Sequence, residues 1–93
     1  MQTYVILRRN AWQTPADLQA SAAKSAAVGN AMPNDVRWIR SYVVKESSDQ
    51  LATVCIYQGS SETAVREHAQ RSGMKADEVL PVADTVIVRP DPA

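Results

Sequence analysis

The sequence holds one cysteine, one histidine and three glycines, and carries no surplus charge of either sign. The single cysteine, Cys55, excludes an intrachain disulfide. With only His68 beside it, the chain cannot build a structural zinc site from its own Cys and His. Gly29, Gly59 and Gly73 are too far apart to form a phosphate-cradling loop, and there is no CxxC and no histidine pair. Ten Lys and Arg are balanced by ten Asp and Glu, whereas a nucleic-acid footprint needs a cationic excess gathered in a stripe. No apolar run approaches the roughly 18 residues of a membrane span. The apolar stretch from Thr3 to Leu7 runs into Arg8 and Arg9, the reverse of the charge order in a secretory signal. These absences predict a cytoplasmic protein with no nucleic-acid and no membrane partner.

What is present suits one small globular domain over residues 1–93: 10.2 kDa, with 45% hydrophobic and 22% charged residues. Thr3 to Arg8 is β-branched and aromatic, which predicts a strand broken by the segment from Asn10 to Gln13. Thr14-Pro15-Ala16-Asp17 reads as a helix start, with Thr14 as cap, Pro15 in the first turn and Asp17 facing the helix dipole. Leu18, Ala22 and Ala26 form a stripe of small residues for packing on a sheet, and Gly29, Asn30 and Pro33 stop the helix. Val36 to Val44 alternates with a period of two, the strongest strand signal in the chain. A polar turn from Lys45 to Gln50 leads into a second strand, Leu51 to Tyr57, expected to pair antiparallel with the first. Ser60 or Ser61 caps a second helix with Val65, His68, Ala69 and Ser72 on one face, ended by Gly73. Ala76-Asp77-Glu78 is expected to start one further turn. Val82 to Arg89 is expected to be the last strand, after which Pro90-Asp91-Pro92-Ala93 ends the ordered chain.

The order strand, helix, strand, strand, helix, strand predicts an α+β fold: a ferredoxin-like βαββαβ plait, a four-stranded antiparallel sheet with both helices on one face. Two helices cover only one face. Trp38, Tyr42 and Val44 alternate with Ile39 and Val43, so an apolar surface remains, which predicts a homodimer through the open face or its edge.

The chemistry-bearing residues concentrate on the second hairpin strand and the second helix. His68 is the one group that ordinarily titrates near neutrality, and it shares the inward helix face. Cys55 and Tyr57, two apart, share a strand face. If that face meets the helices, His68, Cys55 and Tyr57 line one pocket, joined by Trp38, Arg40 and Tyr42 when the hairpin register permits; a slip of one residue separates them. Thiolate and imidazole suit nickel, copper or zinc, but two ligands leave a shell that a second chain or carboxylates such as Glu62 and Glu67 must complete. Arg8 and Arg9, and Arg37 with Arg40, are placed to meet an anionic ligand, although charges flanking strands are usually solvated edge protection, and the latter is the reading expected here.

These blocks, in order, resemble a known family. Thr14-Pro15-Ala16-Asp17-Leu18, Val36-Arg37-Trp38-Ile39-Arg40-Ser41-Tyr42-Val43, Cys55-Ile56-Tyr57 and Ala64-Val65-Arg66-Glu67-His68-Ala69 with Gly73 are similar to small nickel-binding or nickel-responsive proteins first catalogued as a domain of unknown function. The resemblance implies a ferredoxin-like dimer and, for part of the family, nickel as the bound metal. It points to Trp38, Tyr42, Cys55, Tyr57, Glu67 and His68. The chain departs from the family pattern at Leu7, where a glutamate is common, and after the second helix, where Met74-Lys75-Ala76-Asp77 stands for Phe-Pro-Ala-Asp. The terminal Val-Ile-Asp-Pro is likewise stretched, to Val86-Ile87-Val88-Arg89-Pro90. The function expected is that of a small dimeric nickel-type metal-binding protein, a binder more than an enzyme, with His68, Cys55 and Glu67 as metal ligands. Two other readings stay open. One is a dimeric plait that encloses a small organic ligand between sheet and helices, with Trp38, Arg40, Tyr42 and Tyr57 lining the cavity. The other is a cofactor-independent monooxygenase-like or isomerase-like enzyme using His68 as base.

Overall fold

The computed structural model describes residues 1–90; the expectation for residues 91–93 lies outside them. The elements are β1 (Gln2–Trp12), α1 (Pro15–Asn30), β2 (Val36–Lys45), β3 (Leu51–Gly59), α2 (Glu62–Arg71) and β4 (Glu78–Pro81). The four strands form one sheet in the order β2-β3-β1-β4, every neighbouring pair antiparallel. This is the expected plait, with the first and third strands in the middle.

The local signals act as read. Thr14 Oγ1 accepts the Asp17 amide at 3.2 Å, and Ser61 Oγ accepts the Ala64 amide at 3.1 Å, so both helices carry an N-cap that satisfies an otherwise unpaired donor. Gly73, at φ +68°, closes α2: its amide reaches the Gln70 carbonyl while the Met74 amide reaches that of Ala69, the paired bonds of a Schellman turn. Gly59 is required for packing. A Cβ there would lie 2.5 Å from Val65 Cγ2, so only glycine lets α2 settle onto the end of β3.

Four features differ from expectation. First, β1 does not break at Asn10. It continues to Trp12 through an irregularity at which Asn10 adopts φ 47°, a left-handed conformation that asparagine tolerates. Glu46 holds this kink, accepting the Asn10 amide on one oxygen and the Arg9 Nε–H on the other. Second, the last strand is Glu78–Pro81, not Val82 to Arg89. The Arg9 amide donates to Asp77 Oδ2 and the Asp77 amide to the Leu7 carbonyl, which starts pairing early, and no further turn forms there. After the Val82 amide bonds Thr3, the β-branched run leaves the sheet, with Val86, Ile87 and Val88 at least three-quarters exposed. High strand propensity without a partner edge gives no strand. Third, Ala26 is exposed, and the buried residue of α1 is Ser25. Fourth, Arg8 is fully buried and is no solvated flanking charge.

The core lies between the helices and one sheet face, built from Tyr4, Ile6, Cys55 and Tyr57 on the central strands, Val36 and Val79 on the outer ones, Val65 from α2, and Met32 after α1.

Candidate ligand cleft and the buried arginine network

Alternate residues of a strand share a face. Along β1 that places Arg8 with Tyr4 and Ile6 beneath the helices, opposite Thr53 of β3. The guanidinium Nη1 donates to Cys55 Sγ at 3.2 Å, and the Arg8 Cζ stands 5.8 Å from the Tyr57 ring centroid. Tyr57 is the hub of the group. Its ring stacks parallel to Trp38 with centroids 6.0 Å apart, its hydroxyl meets Ser25 Oγ at 3.1 Å, and the His68 ring leans on it at 5.2 Å. The His68 Nε2–H donates to the Ser25 carbonyl at 2.9 Å, which leaves Nδ1 as the bare, lone-pair nitrogen. Burial pushes the Tyr57 phenol above its ordinary 10.0, opposed by the Ser25 hydrogen bond and the Arg8 charge. Burial pushes His68 below 6.5; the bond to Ser25 opposes that shift, and the Arg8 charge adds to it. Tyr57 is therefore a neutral phenol and His68 a neutral imidazole at pH 7.

The network is incomplete. Arg8 Nε and Nη2, Thr53 Oγ1, His68 Nδ1 and Ser72 Oγ are buried without a hydrogen-bond partner, and no carboxylate pairs with Arg8 among the described residues. A buried charge stripped of its partner costs a protein about 3–5 kcal/mol. Such a deficit in a buried charged side chain calls for an explanation beyond core packing.

A cavity of about 470 Å³ opens beside this network, between the first turns of α1 and the covered face of β2 and β3. Trp12, Trp38 and Tyr57 give it aromatic walls, Met74 and Val43 add apolar area, and Thr53 and Cys55 form its inner end. Its size falls in the range of about 300–1,000 Å³ typical of small-molecule sites.

The expected ligand residues divide between the two sheet faces. Trp38 opposes Tyr57, but Ile39 is an extra residue in the ladder, so Arg40 opposes Ile56 and Tyr42 opposes Val54. This bulge shifts the alternation by one. Trp38 and Tyr57 stay on the helix-covered face, Tyr42 turns to the open face beside residues 84–90, and Arg40 sits on the rims of both clefts. The expected metal residues are likewise apart. His68 and Cys55 both adjoin Tyr57, but Cys55 Sγ already accepts a bond from a guanidinium, and Glu67 lies on the exposed face of α2 against Arg71 at 3.5 Å. Among the described residues no three of His, Cys, Asp and Glu come together as a metal-holding group, and the fixed Arg8 charge beside Cys55 repels a divalent cation. One chain's donor set therefore does not fit nickel. His68 lines neither of the clefts next to Trp38.

Sequence reasoning missed Ser25 and, having weighed Arg8 for an anionic ligand, placed it in solvent. Both burials had a signal: Arg8 continues the Tyr4, Ile6 alternation, and Ser25 continues Leu18, Ala22 at helical spacing toward Val28 and Met32.

Against this geometry, a family model for SCO4226-like nickel responsive proteins matches residues 4–82. The chain belongs to the SCO4226-like family. Among solved structures, SCO4226 from Streptomyces coelicolor A3(2) superposes with a TM-score of 0.74 at 22% identity, over 90% of this chain and 99% of that one. At that identity the likeness establishes the shared fold. No curated protein matches the sequence. Within the SCO4226-like match fall both N-caps, the Ile39 bulge and every residue of the Arg8–Tyr57–His68 network. No helix of the described residues is long and apolar enough to cross a membrane.

Proposed function

We propose that this SCO4226-like protein is a non-catalytic binding module, a homodimer whose subunits each hold a small organic ligand in the cleft walled by Trp12, Trp38 and Tyr57. The observation that carries this reading is the cavity of about 470 Å³ with aromatic walls and a polar inner end of Thr53 and Cys55. The dimer is supported by β2, an edge strand of ten residues with Trp38, Ile39, Tyr42, Val43 and Val44 all at least one-third exposed; a long apolar edge calls for a partner. The test is a small-molecule panel read by melting temperature and by the fluorescence of the two tryptophans, both of which line the cleft. A ligand that raises Tm and changes the emission supports the reading, and a flat response across the panel rejects it. A sedimentation mass of one chain at micromolar concentration rejects the dimer.

A second reading, nickel binding, is favoured by the family's description and by the bare, buried Nδ1 of His68. Imidazole suits nickel, and a second copy would have to supply the remaining ligands. Calorimetric titration of nickel into the wild type and His68→Ala decides it: equal binding by both, or none, removes His68 from any metal site.

A further inference from the structure

We propose that the inner end of the cleft, walled by Thr53 and Cys55 and backed by the Arg8 guanidinium, is an anion subsite that takes the carboxylate of a small aromatic acid. The inference rests on the small-ligand reading and specifies its ligand class. Arg8 is fully buried, keeps Nε and Nη2 unpartnered, and directs Nη1 at the weak acceptor Cys55 Sγ at 3.2 Å. Thr53, its cross-strand neighbour, is 3% exposed, lines the cavity, and has a hydroxyl with no partner. Two N–H donors and one O–H donor are thus grouped in a water-poor place with nothing to receive them. Arginine is always charged and its donors form a planar fork that matches a carboxylate. The guanidinium lies one side-chain layer behind the cleft wall, in contact with two residues that form it, Cys55 and Tyr57.

The chemistry selects among ligands. A divalent cation is repelled by Arg8. A neutral molecule fills the aromatic part of the cavity but leaves the buried charge uncompensated. A phosphate dianion overmatches the single positive charge and finds apolar wall where its other oxygens need donors. A monocarboxylate balances the charge, accepts from the Thr53 hydroxyl at the cleft wall with the Arg8 guanidinium one layer behind it, and sets its ring against Trp38 and Tyr57.

The experiment compares benzoate with its neutral isostere benzamide, by calorimetry and thermal melting, on wild type, Arg8→Met and Thr53→Val. Wild type should bind benzoate at least tenfold more tightly than benzamide, as befits a charge-assisted pair. Thr53→Val should weaken benzoate about fivefold and leave benzamide unchanged. Arg8→Met removes the uncompensated charge, so without ligand its Tm should rise by at least about 4 °C, and the preference for benzoate should vanish. If Arg8→Met does not fold, the Thr53→Val comparison still decides. Equal affinity of wild type for both molecules overturns the anion subsite and leaves the small-ligand reading standing. Binding of neither overturns both.

Discussion

The two faces of the sheet are made by the same strands with the same alternation, yet they differ in what their polar atoms find. On the open face Val5, Leu7, Val54 and Ile56 are half-buried, Tyr42, Val44 and Leu80 are exposed, and water reaches whatever the protein leaves unpaired. On the covered face Ile6, Arg8 and Tyr57 have almost no accessible surface, and the described buried orphans, from Arg8, Thr53, His68 and Ser72, lie there or on α2 above it. Adjacent arginines make the contrast within one dipeptide. Arg9 turns outward into water and reaches the largely covered Glu46 carboxylate at 3.0 Å; Arg8 turns inward and meets a thiol. Unsatisfied polarity on the dry side of a fold is where function is to be sought, because only there does it carry a stability penalty that selection must have tolerated.

Substitutions can break or sharpen this contrast. The largest effect is expected from Ile6→Ala, about 2–5 kcal/mol in urea unfolding, with Leu7→Ala on the open face losing clearly less. Equal losses would mean that the open face is as well covered as the other. Gly59→Ala should follow at about 1–3 kcal/mol, since its methyl would collide with Val65. Tyr57→Phe removes the partner of Ser25 Oγ and should cost about 1 kcal/mol without altering the fold, checked by the same unfolding curves and the far-UV spectrum.

A pH series isolates His68. Because its folded-state value lies below 6.5, mainly through burial, the unfolded chain takes up a proton below about pH 6.5 that the folded chain refuses. Stability should be full above that pH and fall as pH drops through it, and His68→Gln should flatten this window. Asp77 acts lower. The Arg9 amide holds its carboxyl below 3.8, so its contribution is full above that value and is lost as acid protonates it; Asp77→Asn should lower stability above that range and flatten the acid dependence within it. The smallest effect belongs to the solvent side of α2: Arg66→Ala, losing the pair with Glu62, should cost about 0.3–0.5 kcal/mol and less in high salt.

The plait itself was legible in the sequence because its signals are local. Caps at Thr14 and Ser61, the glycine stop at Gly73 and the alternation of Val36 to Val44 each depend on a few neighbouring residues. What misled was non-local. The extra residue at Ile39 leaves no trace in an alternating pattern, yet it moves Tyr42 across the sheet, away from Trp38. Val86 to Val88 has every strand propensity but pairs with no strand, whereas the less apolar Glu78 to Pro81 is held against β1 by Asp77. The site was half legible. Cys55, Tyr57, Trp38 and His68 do gather at one place, but the charge that organises them was assigned to solvent, because arginine at a strand end is usually exposed.

A heteronuclear NMR titration of the uniformly 15N-labelled protein with benzoate tests the central claim most directly. The indole Nε1–H groups of Trp12 and Trp38, bonded to Ser21 and Ser41, report on two walls of the cleft, and the Nε–H of Arg8 on the layer behind its inner end. The account predicts that all three cross-peaks move together along one binding curve, that benzamide leaves Arg8 Nε–H in place, and that the amides of Tyr42 and Val44 hardly shift. Shifts confined to the open face, or an unmoved Arg8 while the indoles respond to benzoate, would contradict it.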